Sequence, residues 1–192
     1  MRVSAGFDDR ERDQIAGMYW QAFGSKLGRV MGPDKRAIAF VREVLDPAHA
    51  LCARDDAGAL LGVAGFKTIK GALVGGDWSD IRRHYGYAGG VWRTLLLSLL
   101  ERDTENARFL MDGIFVSDGA RGQGVGTCLL EAIYREAIGR GFAEVRLDVI
   151  DTNPRARALY LREGFVDAGD HRLGPLRYIF GFERATTMVR RV

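Results

Sequence analysis

Cysteine, histidine and proline are all scarce in this chain, at two, three and four residues of 192. Two cysteines are too few for a disulfide framework. Cys52 and Cys128 stand in apolar surroundings and read as two buried thiols, which fits a reducing cytoplasm. His49, His84 and His171 show no metal-ligand spacing, so no metal centre is expected. So few prolines leave no proline-rich linker, and no internal repeat or low-complexity tract interrupts the chain. Charge of one sign is also lacking. Twenty-eight basic and twenty-five acidic residues give a net +3, scattered without a long basic run, so composition offers no case for a nucleic-acid partner. The longest apolar stretch, Leu95 to Leu100, is broken by Ser98 and far too short to span a bilayer. Met1 to Asp13 is charged and has no apolar core, so no signal peptide is expected.

What is present suits an ordered fold. The hydrophobic fraction is 47% and the charged fraction 28%, both ordinary for a globular protein. The length fits one domain over residues 1–192, with core enough to need no covalent staple. Glycine is the excess: 25 of 192 residues, where about 7% is usual. Without a collagen period, those glycines must serve turns and close backbone approaches.

Periodicity gives the element order. Val3 to Phe7 reads as a short strand. Ile15, Met18, Tyr19, Ala22 and Phe23 share a helical face, which predicts a helix over Asp9 to Lys26 ended by Gly24 and Gly28. Ile38, Val41, Val44 and Leu45 mark a second helix between Pro33 and Pro47. Ala50 to Arg54, the turn Asp55 to Gly58, and Leu60 to Ile69 form a hairpin. Between Gly75 and Ala107 lies an insertion with Trp78, Tyr85, Tyr87 and Trp92 and a helix predicted over Val91 to Arg102. It is either packed core or a lid or wall of a pocket. Phe109 to Val116 is a strand, Val125, Cys128, Leu129, Ala132 and Ile133 mark a helix closed by Gly139 and Gly141, and Val145 to Val149 is a half-buried strand by its alternation. Asn153 caps a helix that has Pro154 in its first turn and stops at Gly164, and Phe165 to Asp170 and Ala185 to Val189 close the fold. The order is mixed α/β.

The sharpest local signal is Arg121-Gly122-Gln123-Gly124-Val125-Gly126, after a strand and opening a helix. Glycines clear the surface, and the first helical amides have no internal partners, so phosphate or pyrophosphate is the natural guest. A glycine-rich turn without a ligand is the plainer alternative. A Walker loop needs lysine and then serine or threonine after the last glycine, and Thr127-Cys128 stands there. A dinucleotide fingerprint needs glycine where Thr127 is found, although Glu144, Asp148 and Asp151 follow at roughly its acidic spacing.

A second signal, Asn153-Pro154-Arg155-Ala156-Arg157-Ala158-Leu159-Tyr160 through Gly164-Phe165, changes the weighting. Together the two motifs resemble the GNAT superfamily of acetyl-coenzyme A-dependent N-acetyltransferases. Arg121, Gly124 and Gly126 fill that family's pyrophosphate loop. Asn153, Ala156, Leu159, Tyr160, Gly164 and Phe165 fill its next strand–helix pattern in register. The resemblance runs from about Phe109 to Phe165. It implies a single mixed, mostly antiparallel sheet of about six or seven strands flanked by helices, with the 75–107 segment as a helical insertion. It implies acetyl-coenzyme A as acyl donor. Ile114, Phe115 and Val116 would run beside the pantetheine arm, Arg121, Gly122, Gln123, Gly124, Val125, Gly126 and Thr127 would hold the pyrophosphate, and Asn153 would contact the arm or cap its helix. Two central strands would splay to admit the cofactor. Tyr160 would stand near the sulfur and protonate the departing thiolate, its alternative being a core tyrosine.

The chemistry demands a base as well, because an amine of pKa ~10.4 is almost wholly protonated at neutral pH. Asp112, on the strand before the glycine loop, is the candidate; His84 ranks behind it, and Asp148 and Glu163 read as surface positions. Trp78, Tyr85 and Tyr87, with Tyr19 and Trp20, could line an acceptor pocket suited to a small or amphipathic amine. The function expected is transfer of acetyl to a small-molecule or peptide amine by direct attack, with neither nucleic acid nor membrane as partner. A non-catalytic acyl-coenzyme A sensor and a nicotinamide-dependent oxidoreductase are the alternatives. An exposed closing strand could pair two copies.

Overall fold

The computed structural model of the chain describes residues 1–98 and 107–192. Its eight strands are β1 (Arg2–Ala5), β2 (Ala50–Arg54), β3 (Leu60–Thr68), β4 (Gly71–Ala72), β5 (Phe109–Val116), β6 (Glu144–Ile150), β7 (Val166–Arg172) and β8 (Arg184–Arg191). They form one sheet in the order β1-β2-β3-β5-β6-β8-β7, with β4 paired to β3. Every pairing is antiparallel except β5 with β6. The mixed, mostly antiparallel sheet expected from the resemblance is found, with the two-residue β4 raising the strand number to eight. The helices are α1 (Arg12–Met31), α2 (Asp34–Val44), α3 (Trp78–Ser98), α4 (Val125–Gly139), α5 (Pro154–Arg162) and the short α6 (Arg177–Phe180). Among the described residues no helix is long and apolar enough to cross a membrane.

Two cores lie on the two sheet faces. Ile15 of α1, Phe40 of α2 and Ile81 of α3 pack with Val63 and Phe115 on one face. Leu129 and Ile133 of α4 pack with Ala64, Met111 and Leu147 on the other. β5 contributes to both by alternation, and a bulge sets which of its residues face which side. Gly65 pairs with Gly113 and Phe66 with Met111, which leaves Asp112 outside the ladder. One extra residue reverses the alternation, so Met111 faces α4 while Phe115 faces α1.

Gly113, just past the bulge, lets α1 approach the sheet. A Cβ there would lie 2.6 Å from Cζ of Phe23, whose ring also packs against Tyr19 and Phe115. Gly113→Ala should therefore lower unfolding free energy by about 1–3 kcal/mol, read as a lower denaturant midpoint. An unchanged midpoint would show that Phe23 has room to move.

Several sequence expectations are corrected. α1 does not end at Gly24 and Gly28 but continues to Met31. Its indole Trp20 lies against Gly24, so the missing side chain makes packing space rather than a stop. The insertion helix begins at Trp78 and not at Val91; its chain is broken at Gly86, which has φ 72° and ψ 177°. The Gly89-Gly90 pair is helical, with Gly90 against the Trp78 ring. The predicted end at Arg102 lies outside the described residues. Cys52 is fully buried, whereas Cys128 is only partly so. α3 is fastened to α2 and α1: His84 Nε2 lies 2.7 Å from Glu43, Arg83 pairs with the same carboxylate, and the Tyr85 hydroxyl donates to the Met31 carbonyl. β7 is exposed along its whole length at the sheet edge.

Candidate active site

β5 and β6 meet over only two register pairs, Phe109 with Val145 and Leu110 with Arg146. β6 then continues with β8 through seven pairs, and β5 with β3 through six. Beyond Leu110 the facing edges of β5 and β6 have no ladder between them, which is the splay the resemblance implied. The edge residues Ile114 to Val116 keep their ladder to β3 only. The Phe115 ring is buried against Tyr19 and Phe23, so only its main chain faces the gap.

The C-terminal ends of β5 and β6 lead to the two motifs. After β5, the chain turns through Asp118–Ala120 and reaches α4 by way of Gly122 and Gly124, both left-handed at φ 78° and 80°. Gly124 is the residue before α4, and no side chain caps the helix there. A Cβ at Gly122 or Gly124 would meet nothing within 4 Å, so these glycines serve backbone conformation and keep the outside of the turn open. Gly126 differs: its Cβ would lie 3.1 Å from Leu159, so it serves contact between α4 and α5. Uncapped amides at a helix start present positive potential to an anion. Side chains contribute less than the sequence suggested. Val125 is buried in the α4 core, Gln123 Nε2 donates to the Gly119 carbonyl at 2.8 Å, and Thr127 Oγ1 bonds Glu163 at 2.9 Å. Arg121 is paired with Asp118 at 2.7 Å, and Gln21 donates to that same carboxylate. The pair is half-exposed, and such pairs contribute ~0–1 kcal/mol, so Arg121 can turn to a stronger anion at little cost.

Across the opening, Asn153 Oδ1 accepts from the Ala156 amide at 3.2 Å, so it caps α5. Tyr160 is buried against Phe165, ring centroids 5.7 Å apart. Burial raises its phenol above the ordinary range, with Tyr134 adding to the effect, so it stays a proton donor at neutral pH.

On the α1 side of the sheet lies a cavity of about 830 Å³. Asp112, Asp148, Tyr19, Trp20 and Trp78 are among its described lining residues; Tyr160 and the glycine turn are not. Asp112 comes from the β5 bulge and reaches water through the cavity mouth. Crowding by protein raises its carboxyl above the usual range, while Lys26 and Lys67 draw it down. The Asp112 charge acts in turn on Tyr19, whose phenol is raised chiefly by burial. Asp148 is exposed, as its surface reading expects, and it also lines the cavity from β6, accepts from Thr187 Oγ1, and lies 3.8 Å from Arg146. Of the aromatics expected there, Tyr85 is instead buried under Arg93 and Tyr87 is 72% exposed outside. His84 is held by Glu43 and does not line the cavity; desolvation, then Arg83, lowers its pKa.

The fold has many relatives of known structure. An N-acetyltransferase from Staphylococcus aureus Mu50 superposes with a TM-score of 0.67 at 11% identity, over 99% of this chain and 100% of that one. A ribosomal-protein-alanine N-acetyltransferase from Brucella melitensis gives 0.62 at 15% identity, over 100% of both chains. A structure described only as an acetyltransferase gives 0.65 at 20% identity, again over 100% of both. At such identities the likeness speaks for the fold. The sequence itself matches the Acetyltransferase (GNAT) family over residues 12–165, which takes in both motifs and the Asp112 bulge. With most of its length inside that match, and with its splayed strands and uncapped glycine turn, the chain belongs to the GNAT acetyltransferase family.

Proposed function

We propose that this acetyltransferase moves the acetyl group of acetyl-coenzyme A to a primary amine by direct attack within a ternary complex. The observation that carries the reading is the gap between β5 and β6, with an open, uncapped helix start at its mouth and a carboxylate-bearing cavity beside it. The residues fit the group. The amides from Gly122 to Thr127 and the Arg121 guanidinium would hold the diphosphate, the main chain of Ile114 to Val116 would pair with the amide-bearing arm, and Asn153 would sit beside it. When bound, acetyl-coenzyme A supplies an activated acetyl thioester.

The chain's own groups then handle protons and charge. An acceptor of pKa ~10.4 arrives as an ammonium and must lose a proton. Asp112 would take it: a carboxyl raised by crowding is a stronger base than an ordinary one. A main-chain amide near Ile114 to Val116 would stabilise negative charge on the carbonyl oxygen. Tyr160 would give its hydroxyl proton to the leaving sulfur. Direct transfer is favoured because neither cysteine is among the described lining residues, and the Cys52 thiol is pushed up to about 12, chiefly by burial. Two free cysteines also suit work in a reducing, cytoplasmic setting.

Calorimetric titration with acetyl-coenzyme A, followed by thiol release with an amine panel, tests the reading; no heat at millimolar ligand would end it. Tyr160→Phe should retain the cofactor's Kd and lower kcat by about a hundredfold, the usual scale for losing one proton-transfer group. Unchanged kcat would remove Tyr160 from proton transfer.

A further inference from the structure

The cavity also points to a class of acceptor, an inference that rests on the acetyl-transfer reading above. Its walls divide by chemistry. Trp20, Met31, Phe40, Trp78, Ile81 and Leu97 supply apolar surface from α1, α2 and α3. Four carboxylates and two lysines are the charged groups among its described lining residues. Two of those carboxylates are occupied by the start of α3. Asp77 accepts from the Ser79 and Asp80 amides at 2.7 and 3.1 Å, and Asp80 accepts from the Asp77 amide at 3.0 Å. Lys26 and Lys67 lie close enough to act on Asp112. Of the four carboxylates, Asp112 from β5 and Asp148 from β6 are the two on the strands that splay, beside the gap proposed for the acetyl thioester. Thr187 and Arg146 anchor Asp148, and a carboxylate has up to about four acceptor positions, so it can still receive an ammonium.

We infer that the acceptor is a primary amine with one cationic end on an apolar, aromatic-sized body: the ammonium sits between Asp112 and Asp148, and the body fills the space walled by α3. A volume of about 830 Å³ is that of a small-molecule pocket. A polyamine or aminoglycoside would instead lay polar and cationic groups along the apolar wall of Trp20, Met31, Phe40, Trp78, Ile81 and Leu97, where they lose hydration. The wall depends on the insertion. Trp78, Ile81 and Leu97 all belong to α3, so this segment sets acceptor choice and leaves the cofactor gap untouched.

The test uses 4-phenylbutylamine against spermidine, kanamycin and an alanine-initiated decapeptide as acceptors. The aromatic amine should show kcat/KM at least tenfold above each of the others. Leu97→Glu puts a charge on a half-buried wall position that also packs against the core, so its fold is checked by an unchanged denaturant midpoint before kinetics. It should raise KM for 4-phenylbutylamine at least tenfold, more than any change in kcat, and leave the Kd of acetyl-coenzyme A unchanged. Trp78→Ala should act in the same direction, and Asp148→Asn should raise KM for every amine. Preference for a polycation or the peptide, or an unmoved KM in Leu97→Glu, would overturn the inference while leaving acetyl transfer standing. Absence of acetyl-coenzyme A binding would instead strike the general reading; direct titration of 4-phenylbutylamine into cofactor-free protein still tests the cavity, and no binding there would overturn this proposal.

Discussion

Gly124→Asp is expected to weaken acetyl-coenzyme A binding at least a hundredfold, about 2.7 kcal/mol, with the protein still folded. The two halves of that expectation have separate causes. Gly124 sits at φ 80° and ψ 2°, a conformation that asparagine and aspartate enter more readily than other side chains, and no atom stands within 4 Å of the added Cβ. A carboxylate before the first turn of α4 even favours that helix by interacting with its dipole. The same carboxylate occupies the amides proposed for the diphosphate and repels it. Gly124→Asn keeps the shape without the charge and separates the two effects: it should lose far less affinity. Calorimetry on both variants decides the matter. A Kd for Gly124→Asp close to the parent's would place the diphosphate elsewhere.

Local pattern carried that turn, and this explains which parts of the molecule were legible in sequence. Phe109–Val116, the helix from Val125 closed near Gly139 and the Asn153-Pro154 start of α5 follow from alternation, helical spacing and capping chemistry, and the structure has these elements there. Gly24 and Gly28 misled because a mid-helix glycine costs only ~1 kcal/mol, less than what α1 gains by packing Ile15, Ala16 and Trp20. In the insertion the helix is expected only from Val91, yet it starts at Trp78 with its break at Gly86, and the Trp78 ring explains why Gly90 is small. Asp148 was missed for a non-local reason. Its alternation gave it a polar side, but only the parting of β6 from β5 turns that side into a cavity wall. The bulge at Asp112 was equally hidden, since it exists only in the register with β3.

Asp112→Asn should lower kcat/KM by about two orders of magnitude or more while the Kd of acetyl-coenzyme A holds, because the amide keeps the shape and cannot accept the acceptor's proton. The parent rate should rise with pH through the raised carboxyl pKa, as the base becomes ionised, and that limb should vanish in the variant. Stability moves the other way. A carboxyl whose folded pKa exceeds its unfolded value makes the folded state bind protons more tightly, so it adds stability at low pH that is lost as pH rises through the folded pKa. Asp112→Asn should therefore melt higher than the parent at neutral pH, with the gap closing below the ordinary carboxyl range. A base that weakens its own fold is a signature that a purely structural aspartate would not give. Loss of activity together with a lower melting point at neutral pH would mark Asp112 as structural.

The two-pair contact of β5 with β6 has a mechanical side. Along the seven-strand path it is the shortest main-chain seam, parting a leaf of β1–β5 from a leaf of β6–β8 that side chains of both cores still join. A guest lying along that seam would bond to both leaves at once and act as the missing rung. Occupancy and rigidity then become one variable: the substrate level in the surroundings would set how firmly the two leaves are joined.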